Sequence, residues 1–152
     1  MSLKKEDLIY EDKILWSQLD ANMHLRHSAY ADIAAHARFE ILGKLGFGPS
    51  FFKQHKIGPV LFREELIYKR EIVGSEKIKI DCELTKSRVD GSRWGFRQHF
   101  FREDGVLSAV INVEGAWIDM EKRKLISFPA EHLHKLMSIP KSEDYVEETV
   151  SL

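Results

Sequence analysis

An acid, an amide and two histidines are concentrated in one short segment of the chain. Within residues 20–30, the polar side chains best suited to chemistry are Asp20, Asn22, His24 and His27. A carboxylate can act as a nucleophile or a general base, and amide and imidazole groups can position a carboxylate or a water molecule. The alternative role for Asp20 is structural, because Asp is favoured as a turn or capping acid before a helix. The segment predicts a catalytic or ligand-binding loop.

A long helix is expected directly after this loop. Across residues 28–45 the apolar side chains recur at three- and four-residue intervals, and Gly46 follows as a stop signal. The first N–H groups of a helix lack intrahelical acceptors and carry partial positive charge. Amides near His27 would therefore polarise a carbonyl oxygen, a contribution worth about 3–4 kcal/mol per donor to stabilising the charge that develops on it.

Most of the secondary structure predicted around this loop is β-strand. Strands are predicted at residues 8–16, 60–72, 77–88, 93–102 and 106–119, with a short helix at residues 130–137. Turn residues at 89–92 and 103–105 link the last three strands as antiparallel hairpins. One long helix against an antiparallel sheet gives an α+β domain, and its uncovered sheet edges predict a homodimer.

Composition restricts the class of protein. The 152 residues predict a single domain over residues 1–152, with residues 141–152 as a loose charged tail. The 23 basic and 24 acidic residues give a net charge of −1, which argues against nucleic acid as a partner. No apolar stretch is long enough for a membrane span. No signal peptide is evident, and a single cysteine, Cys82, favours a reducing, cytoplasmic setting.

The segment that starts at Asp20 also carries a family resemblance. Asp20-x-Asn22-x-His24 is followed by Tyr30, and then by the triplets at residues 37–39 (Ala-Arg-Phe) and 45–47 (Leu-Gly-Phe). This pattern resembles the hotdog-fold acyl thioesterases, both the hydroxybenzoyl-CoA thioesterase type and the acyl-carrier-protein type, and the likeness extends over most of the chain. It implies a hotdog fold, in which an antiparallel sheet wraps around one long central helix, with active sites at a homodimer interface.

The resemblance implies hydrolysis of an acyl thioester without a metal or redox cofactor. Asp20 matches the nucleophile or base of the hydroxybenzoyl-CoA type, and the amide near His27 matches its carbonyl-binding N–H. Asn22 and His24 match groups of the acyl-carrier-protein type, and Glu71 matches its water activator. The sequence departs from that pattern at Met23 (usually Gly), at Arg26 and His27 (usually Asn), and at Ile72 (usually Cys). A cysteine nucleophile at that last position is excluded.

Two assignments come from the residues themselves. Strand alternation places Glu64 on the apolar face of its strand and Glu71 on the opposite face, so Glu64 is a rival for the role of base. Lys86, Arg88 and Arg93 surround one hairpin and could bind the phosphates of CoA.

Several alternatives stay open at this point. The carrier of the acyl group can be CoA or an acyl-carrier protein, and the assembly can be a dimer or a dimer of dimers. A non-catalytic acyl-CoA or acyl-carrier binding module and a hydratase or dehydratase are compatible with the same fold. A metal hydrolase that uses Asp20, His24 and His27 as ligands is a further alternative. The apolar segment 47–52, expected to be a mobile loop, could line an acyl tunnel.

Overall fold

A computed structural model describes residues 3–149 of the chain. Its helices are α1 (His27–Lys44), α2 (Pro49–His55) and α3 (Ala130–Leu136). Its strands are β1 (Tyr10–Lys13), β2 (Ile57–Tyr68), β3 (Lys77–Ile80), β4 (Glu83–Arg88), β5 (Arg93–Phe101), β6 (Leu107–Asp119) and β7 (Lys141–Glu148). The predicted α+β class is confirmed. None of the helices within residues 3–149 is both long and apolar enough to cross a membrane.

The seven strands form one sheet. β2 pairs with β6, and β6 pairs with β5, in both cases antiparallel. On its other side β5 pairs with β3 near one end and with β4 near the other, and β1 and β7 lie outside β3 and β4 respectively. The sheet curves around α1, whose buried face packs against it, which is the predicted hotdog arrangement.

The predicted strand over residues 77–88 is two strands in the structure. The chain leaves the regular ladder at Asp81, whose carboxylate accepts a hydrogen bond from the backbone N–H of His99 (2.7 Å) and contacts its ring Nδ1 (2.9 Å). This side-chain bond takes over the role of a ladder bond, so β3 ends at Ile80 and β4 begins at Glu83. Both segments still flank β5.

The prediction of a loose tail is wrong for residues 141–148, which form β7 and pair in parallel with β4. Arg97 on β5 holds this strand through two hydrogen bonds to the carboxylate of Asp144 (3.0 and 3.1 Å), and Ser142 is buried. The hydrogen bond from Arg97 lowers the pKa of Asp144 to about 2. A charged segment is ordered here because the sheet supplies both its backbone partners and its counter-ion. Residues 150–152 of the predicted tail lie outside the described part of the chain.

The prediction of a mobile loop is wrong for the end of segment 47–52, because α2 (Pro49–His55) begins within it. Pro49 is at the first position of this helix, where proline is favoured. Phe47, just before it, is buried and packs against Phe51 and Phe128, with ring centroids 4.8 and 5.1 Å away. This aromatic cluster fixes α2 over the C-terminal end of α1.

Candidate active site

Asp20 is held in the turn between β1 and α1. Its Oδ1 accepts hydrogen bonds from the backbone N–H groups of Asn22 (2.8 Å) and His24 (3.1 Å), and its own N–H donates to the carbonyl of His24 (2.8 Å). Asp20 therefore has the structural role of a turn acid. Its Oδ2 makes no hydrogen bond within residues 3–149, so the same carboxylate keeps one oxygen for chemistry.

A depression of about 350 Å³ brings together most of the predicted site residues. Its lining residues are Asp20, His24, Leu25, His27, Tyr30, Tyr68, Lys69, Arg70 and Glu71. Asn22 lies on an adjoining depression, to which His24 also contributes. The loop, the start of α1 and the end of β2 thus share one surface. We call the first depression the Asp20 site.

The start of α1 leaves backbone donors free at this site. The helix begins at His27 with no side-chain cap, and the N–H groups of His27 and Ser28 donate no hydrogen bond within the described residues. Arg26 donates through Nε to Ser28 Oγ (3.0 Å) and through a terminal nitrogen to the carbonyl of Ser17, so its guanidinium is fixed beside the helix start. Free N–H groups beside a fixed cation are suited to stabilising negative charge on a carbonyl oxygen.

Tyr30 is a site residue that the sequence analysis used only as an apolar helix position and as part of the family pattern. Its ring is buried and packs edge-on against Tyr68, whose hydroxyl donates a hydrogen bond to the carbonyl of His27 (3.4 Å). Burial, with added effects from Tyr68, Asp20 and Glu71, raises the pKa of Tyr30 to about 12. The phenol stays protonated at neutral pH and can donate a hydrogen bond to a substrate oxygen. The sequence contained one indication that Tyr30 belongs to the site: it follows His27 by one helical turn and therefore lies on the same face of α1.

Glu71 joins the Asp20 site because β2 ends before it. The backbone N–H groups of Lys69 and Arg70 both donate to the carbonyl of Ser108 (2.9 and 3.1 Å), which breaks the strand alternation. A hydrogen bond to its own backbone N–H, with added effects from the charges of Arg102, His24 and Arg70, lowers the pKa of Glu71. Glu71 is thus ionised at neutral pH but is a weaker base than an ordinary glutamate.

Glu64 does not line the Asp20 site. It pairs in register with Val113, which is buried, so its side chain is on the face of β2 that looks towards α1, as predicted. It is nevertheless exposed, at the free edge of the sheet. A role for Glu64 as the base would need a substrate that extends along this edge.

The three cations predicted to bind phosphate lie away from the Asp20 site. Lys86 forms ion pairs with Glu114 and, at 3.8 Å, with Glu148. Arg93 lies over the ring of Phe62 at 5.2 Å, and the buried Nε of Arg88 has no hydrogen-bond partner in the described part of the chain. The cations that do line the site are Lys69 and Arg70, which the sequence analysis missed although they directly precede Glu71.

Met23 occupies a left-handed backbone conformation, with φ of +62°. This conformation costs a non-glycine residue about 1–2 kcal/mol, which explains why glycine is usual here in the family pattern. The turn that Asp20 closes holds Met23 in it, because the N–H of Met23 donates to the Asp20 carbonyl (3.0 Å).

We expect Met23→Gly to raise the free energy of unfolding by about 0.5 kcal/mol. The relief of backbone strain exceeds the entropy lost by fixing a glycine, and the Met23 side chain is 54% exposed, so little packing is lost. Urea denaturation measures the change. Met120→Gly is the control, since Met120 has a comparable exposure of 48% and no positive φ, and this variant should be destabilised. A loss of stability in Met23→Gly would show that the turn is not strained.

An apolar cavity of about 210 Å³ lies further along α1, between this helix and the start of β2. α1 contributes Ala35, Arg38 and Phe39, and β2 contributes Pro59 and Leu61. Phe47 and Phe52, from the segment predicted to line an acyl tunnel, are also in its wall, together with Trp94 and Trp117. The cavity and the Asp20 site are separate depressions that both draw residues from α1: His27 and Tyr30 line the Asp20 site, and Arg38 and its neighbours line the cavity.

The geometry gives no support to a metal site at Asp20, His24 and His27. Within residues 3–149 the His, Asp and Glu side chains with ligand atoms close enough to share an ion are His55, Glu131 and His132, where α2 meets α3. Their ligand atoms lie within 4.8 Å of one another, on elements that do not contribute to the Asp20 site.

Comparisons with known proteins agree with this fold. A family model described as the thioesterase-like superfamily matches residues 14–136. A Staphylococcus aureus protein determined in complex with CoA superposes with a TM-score of 0.79 and 15% identity, over 95% of this chain and 88% of that one. A DHNA-CoA thioesterase from the same organism gives a TM-score of 0.76 and 25% identity, over 86% and 87% of the two chains. For a 1,4-dihydroxy-2-naphthoyl-CoA thioesterase from Synechocystis the TM-score is 0.74 and the identity 11%, over 85% and 94%. The curated proteins gave no match.

Proposed function

The chain belongs to the thioesterase-like superfamily, and from this premise we propose that it hydrolyses an acyl-CoA to the free acid and CoA, with Asp20 as the base or nucleophile. The observation that carries the proposal is that Asp20 and the start of α1 line one depression, where within residues 3–149 the Oδ2 of Asp20 and the N–H groups of His27 and Ser28 make no hydrogen bond. A reacting carbonyl placed in this depression meets a carboxylate and an oxyanion-stabilising group together.

The chemistry follows from this arrangement. The thioester oxygen accepts hydrogen bonds from the N–H groups of His27 and Ser28, while Asp20 takes a proton from water as the water oxygen attacks the carbonyl carbon. The C–S bond then breaks, and the departing thiolate takes up a proton. If Asp20 attacks directly, an anhydride forms first and water cleaves it. Tyr30 and His24 line the same depression and orient the substrate or the water.

CoA is the proposed carrier of the acyl group. A structural relative was determined in complex with CoA, and Lys69 and Arg70 place two cations at the rim of the Asp20 site. Phosphates are bound by such donors. We therefore assign the phosphate contacts to Lys69 and Arg70 ahead of Lys86, Arg88 and Arg93, of which Lys86 is already paired with acids. The setting we propose is cytoplasmic, where the single Cys82 stays reduced.

The experiment that tests the proposed function is release of free thiol from a panel of aliphatic and aryl acyl-CoAs, with a chelator present throughout. Turnover of at least one substrate supports the proposal. If the panel binds but is inert, a binding module replaces the enzyme. Addition of water to an enoyl-CoA without thiol release would indicate a hydratase, and activity only in the absence of chelator would indicate a metal hydrolase.

We propose that two copies of the chain associate through the free edge of β2. This strand pairs only with β6 within residues 3–149 and exposes large apolar side chains, namely Leu61, Phe62, Ile67 and Tyr68. A long apolar edge strand readily pairs with a second copy. Tyr68 lies both on this edge and in the Asp20 site, so association would complete the wall of the site.

Light scattering after size exclusion should give at least twice the chain mass of 17.7 kDa, as a dimer or a dimer of dimers. Phe62→Lys should shift the protein towards monomer, since it places a charge within the apolar contact. Val146→Lys is the control, because Val146 is equally exposed (56%) but lies on β7, at another edge of the sheet. A monomeric wild type would contradict the proposal.

A further inference from the structure

Arg38 is a buried cation without an acidic partner. Only 9% of the residue is exposed, and no carboxylate lies within 4 Å of its guanidinium among residues 3–149. One terminal nitrogen donates a hydrogen bond to Gln98 Oε1 (2.7 Å), and the Nε2 of Gln98 donates in turn to the carbonyl of Ala34 (3.1 Å). Gln98 is fully buried, so this chain of bonds fixes the guanidinium but gives it no acidic partner within residues 3–149.

Burial of the Arg38 guanidinium disfavours its charged form and so affects its pKa. Burial lowers the pKa of the Arg38 guanidinium, and the effects of Cys82 and Glu64 oppose that lowering. Burial also raises the pKa of the Cys82 thiol to about 12, so at neutral pH this thiol is uncharged and is no counter-ion for Arg38. Glu64, the carboxylate of this pair, lies beyond 4 Å and is exposed. A buried charge is stable only when it is paired or hydrogen-bonded. Among residues 3–149 the Arg38 guanidinium donates one hydrogen bond, to Gln98, so its other N–H groups can bind an incoming anion.

The space next to Arg38 can hold such an anion. Arg38 lines the apolar cavity of about 210 Å³, and none of the residues in its wall is acidic. The remainder of that wall is apolar and largely aromatic, with Phe39, Phe52, Trp94 and Trp117 among its members. The cavity thus offers one positive charge at a place that otherwise suits hydrocarbon.

The position of the cavity relates it to the Asp20 site. His27 and Arg38 are eleven residues apart on α1, or about 16 Å along the helix axis. Helical side chains lean towards the N-terminus, so the guanidinium lies closer to the Asp20 site than its Cα does. A ligand with its thioester at His27 and an acyl group that runs along α1 towards its C-terminal end would reach Arg38 with its far end.

We propose that the cavity binds the far end of the acyl group and that Arg38 pairs with a carboxylate there, so that the preferred substrates are thioesters of dicarboxylic acids. This inference rests on the proposed thioester hydrolysis and adds the class of acyl group. A guanidinium binds a carboxylate through two parallel hydrogen bonds. A methyl-ended acyl group of equal length fills the same space but leaves the buried donors unpaired, and sites of this kind discriminate strongly against the analogue that lacks the polar group.

The test compares acyl-CoAs that differ only at their far end. Adipoyl-, suberoyl- and sebacoyl-CoA are assayed beside hexanoyl-, octanoyl- and decanoyl-CoA. At the best-fitting length we expect kcat/KM of the wild type to be about 10- to 100-fold higher for the dicarboxylic member of the pair. Arg38→Met should abolish or reverse this preference. Arg38→Lys keeps the positive charge but lacks the two parallel N–H donors of the guanidinium, so it should retain part of the preference.

Arg63→Met is the matched control. Arg63 is an exposed arginine on β2 that pairs with Glu114, and its replacement should leave the preference unchanged. Hydrolysis of both members of every pair at equal rates, or an unchanged preference in Arg38→Met, would overturn the inference while leaving thioester hydrolysis intact.

A binding measurement separates the inference from the proposed function. If no acyl-CoA is hydrolysed, the proposed function fails, and calorimetric titration with sebacate and decanoate then tests the cavity alone. Tighter binding of sebacate by the wild type, lost in Arg38→Met, supports the carboxylate site. Equal binding of the two acids, or no binding of sebacate, rejects it. The same titration applies if Arg38→Met fails to fold, with Arg38→Lys in its place.

Discussion

We expect Asp20→Asn to lower kcat/KM for the proposed acyl-CoA hydrolysis by about 100-fold or more, with little loss of stability. The amide oxygen of asparagine can still accept the hydrogen bonds from the N–H groups of Asn22 and His24, so the turn is preserved. The second oxygen of Asp20, which has no hydrogen-bond partner among residues 3–149, becomes an amide nitrogen. That nitrogen can neither accept a proton nor attack a carbonyl carbon.

Thiol release, followed with the best substrate of the panel, measures this effect. Asp12→Asn is the control, because Asp12 is an exposed acid on β1 that accepts hydrogen bonds of its own from the Tyr10 hydroxyl and the Lys13 N–H. Glu71→Gln and Glu64→Gln are assayed beside it. If Asp20→Asn retains wild-type activity while one of the glutamate variants loses it, that glutamate is the base and Asp20 is only a turn acid.

Trp117→Ala lowers the free energy of unfolding by about 3–5 kcal/mol, the range for removing a fully buried large aromatic side chain. Trp117 is 1% exposed and lies between Phe52, Phe128 and Trp94, with ring centroids 5.6, 5.0 and 5.7 Å away. It connects β6 with α2 and with the segment before α3. Its removal leaves a void that these rigid rings cannot close.

Urea denaturation of the wild type and three variants measures this effect. Trp117→Phe keeps an aromatic ring and removes a buried Nε1–H that has no acceptor among the described residues 3–149, so it should cost only about 1–2 kcal/mol. Trp16→Ala is the matched surface control, since Trp16 is 80% exposed, and its effect should stay within about 0.5 kcal/mol. A cost below 1 kcal/mol for Trp117→Ala would mean that the aromatic cluster is not part of the stabilising core.

The elements with strong local patterns were predicted well from the sequence. α1 was expected at residues 28–45 and is found at His27–Lys44, because its apolar spacing and its terminal Gly46 are local signals. The strands that became β5 and β6 are bounded by turn residues and start within one residue of the prediction. The resemblance to hotdog thioesterases, which rested on the Asp20 segment and the order of elements, is confirmed by the family match over residues 14–136.

The misjudged elements depend on partners far away in the chain. β7 is a charged segment that forms a strand only because β4 and Arg97 lie beside it. α2 is short, and its apolar residues are ordered by Phe128, which follows about eighty residues later. The break between β3 and β4 comes from the hydrogen bond of Asp81 to His99. No local window of the sequence contains both members of these pairs.

The candidate site, too, combines groups that are close in the sequence with groups from distant segments. The groups that are close in the sequence could be predicted from it: the carboxylate of Asp20, the imidazole of His24 and the amides at the start of a helix. The tertiary structure adds the distant groups, because the end of β2 brings Glu71, Lys69 and Arg70 to that surface. It also decided that Lys86 is neutralised elsewhere and that Arg38 is buried beside an apolar cavity. The position of a side chain next to a distant segment is set by sheet register and by the packing of α1, and these are properties of the whole fold.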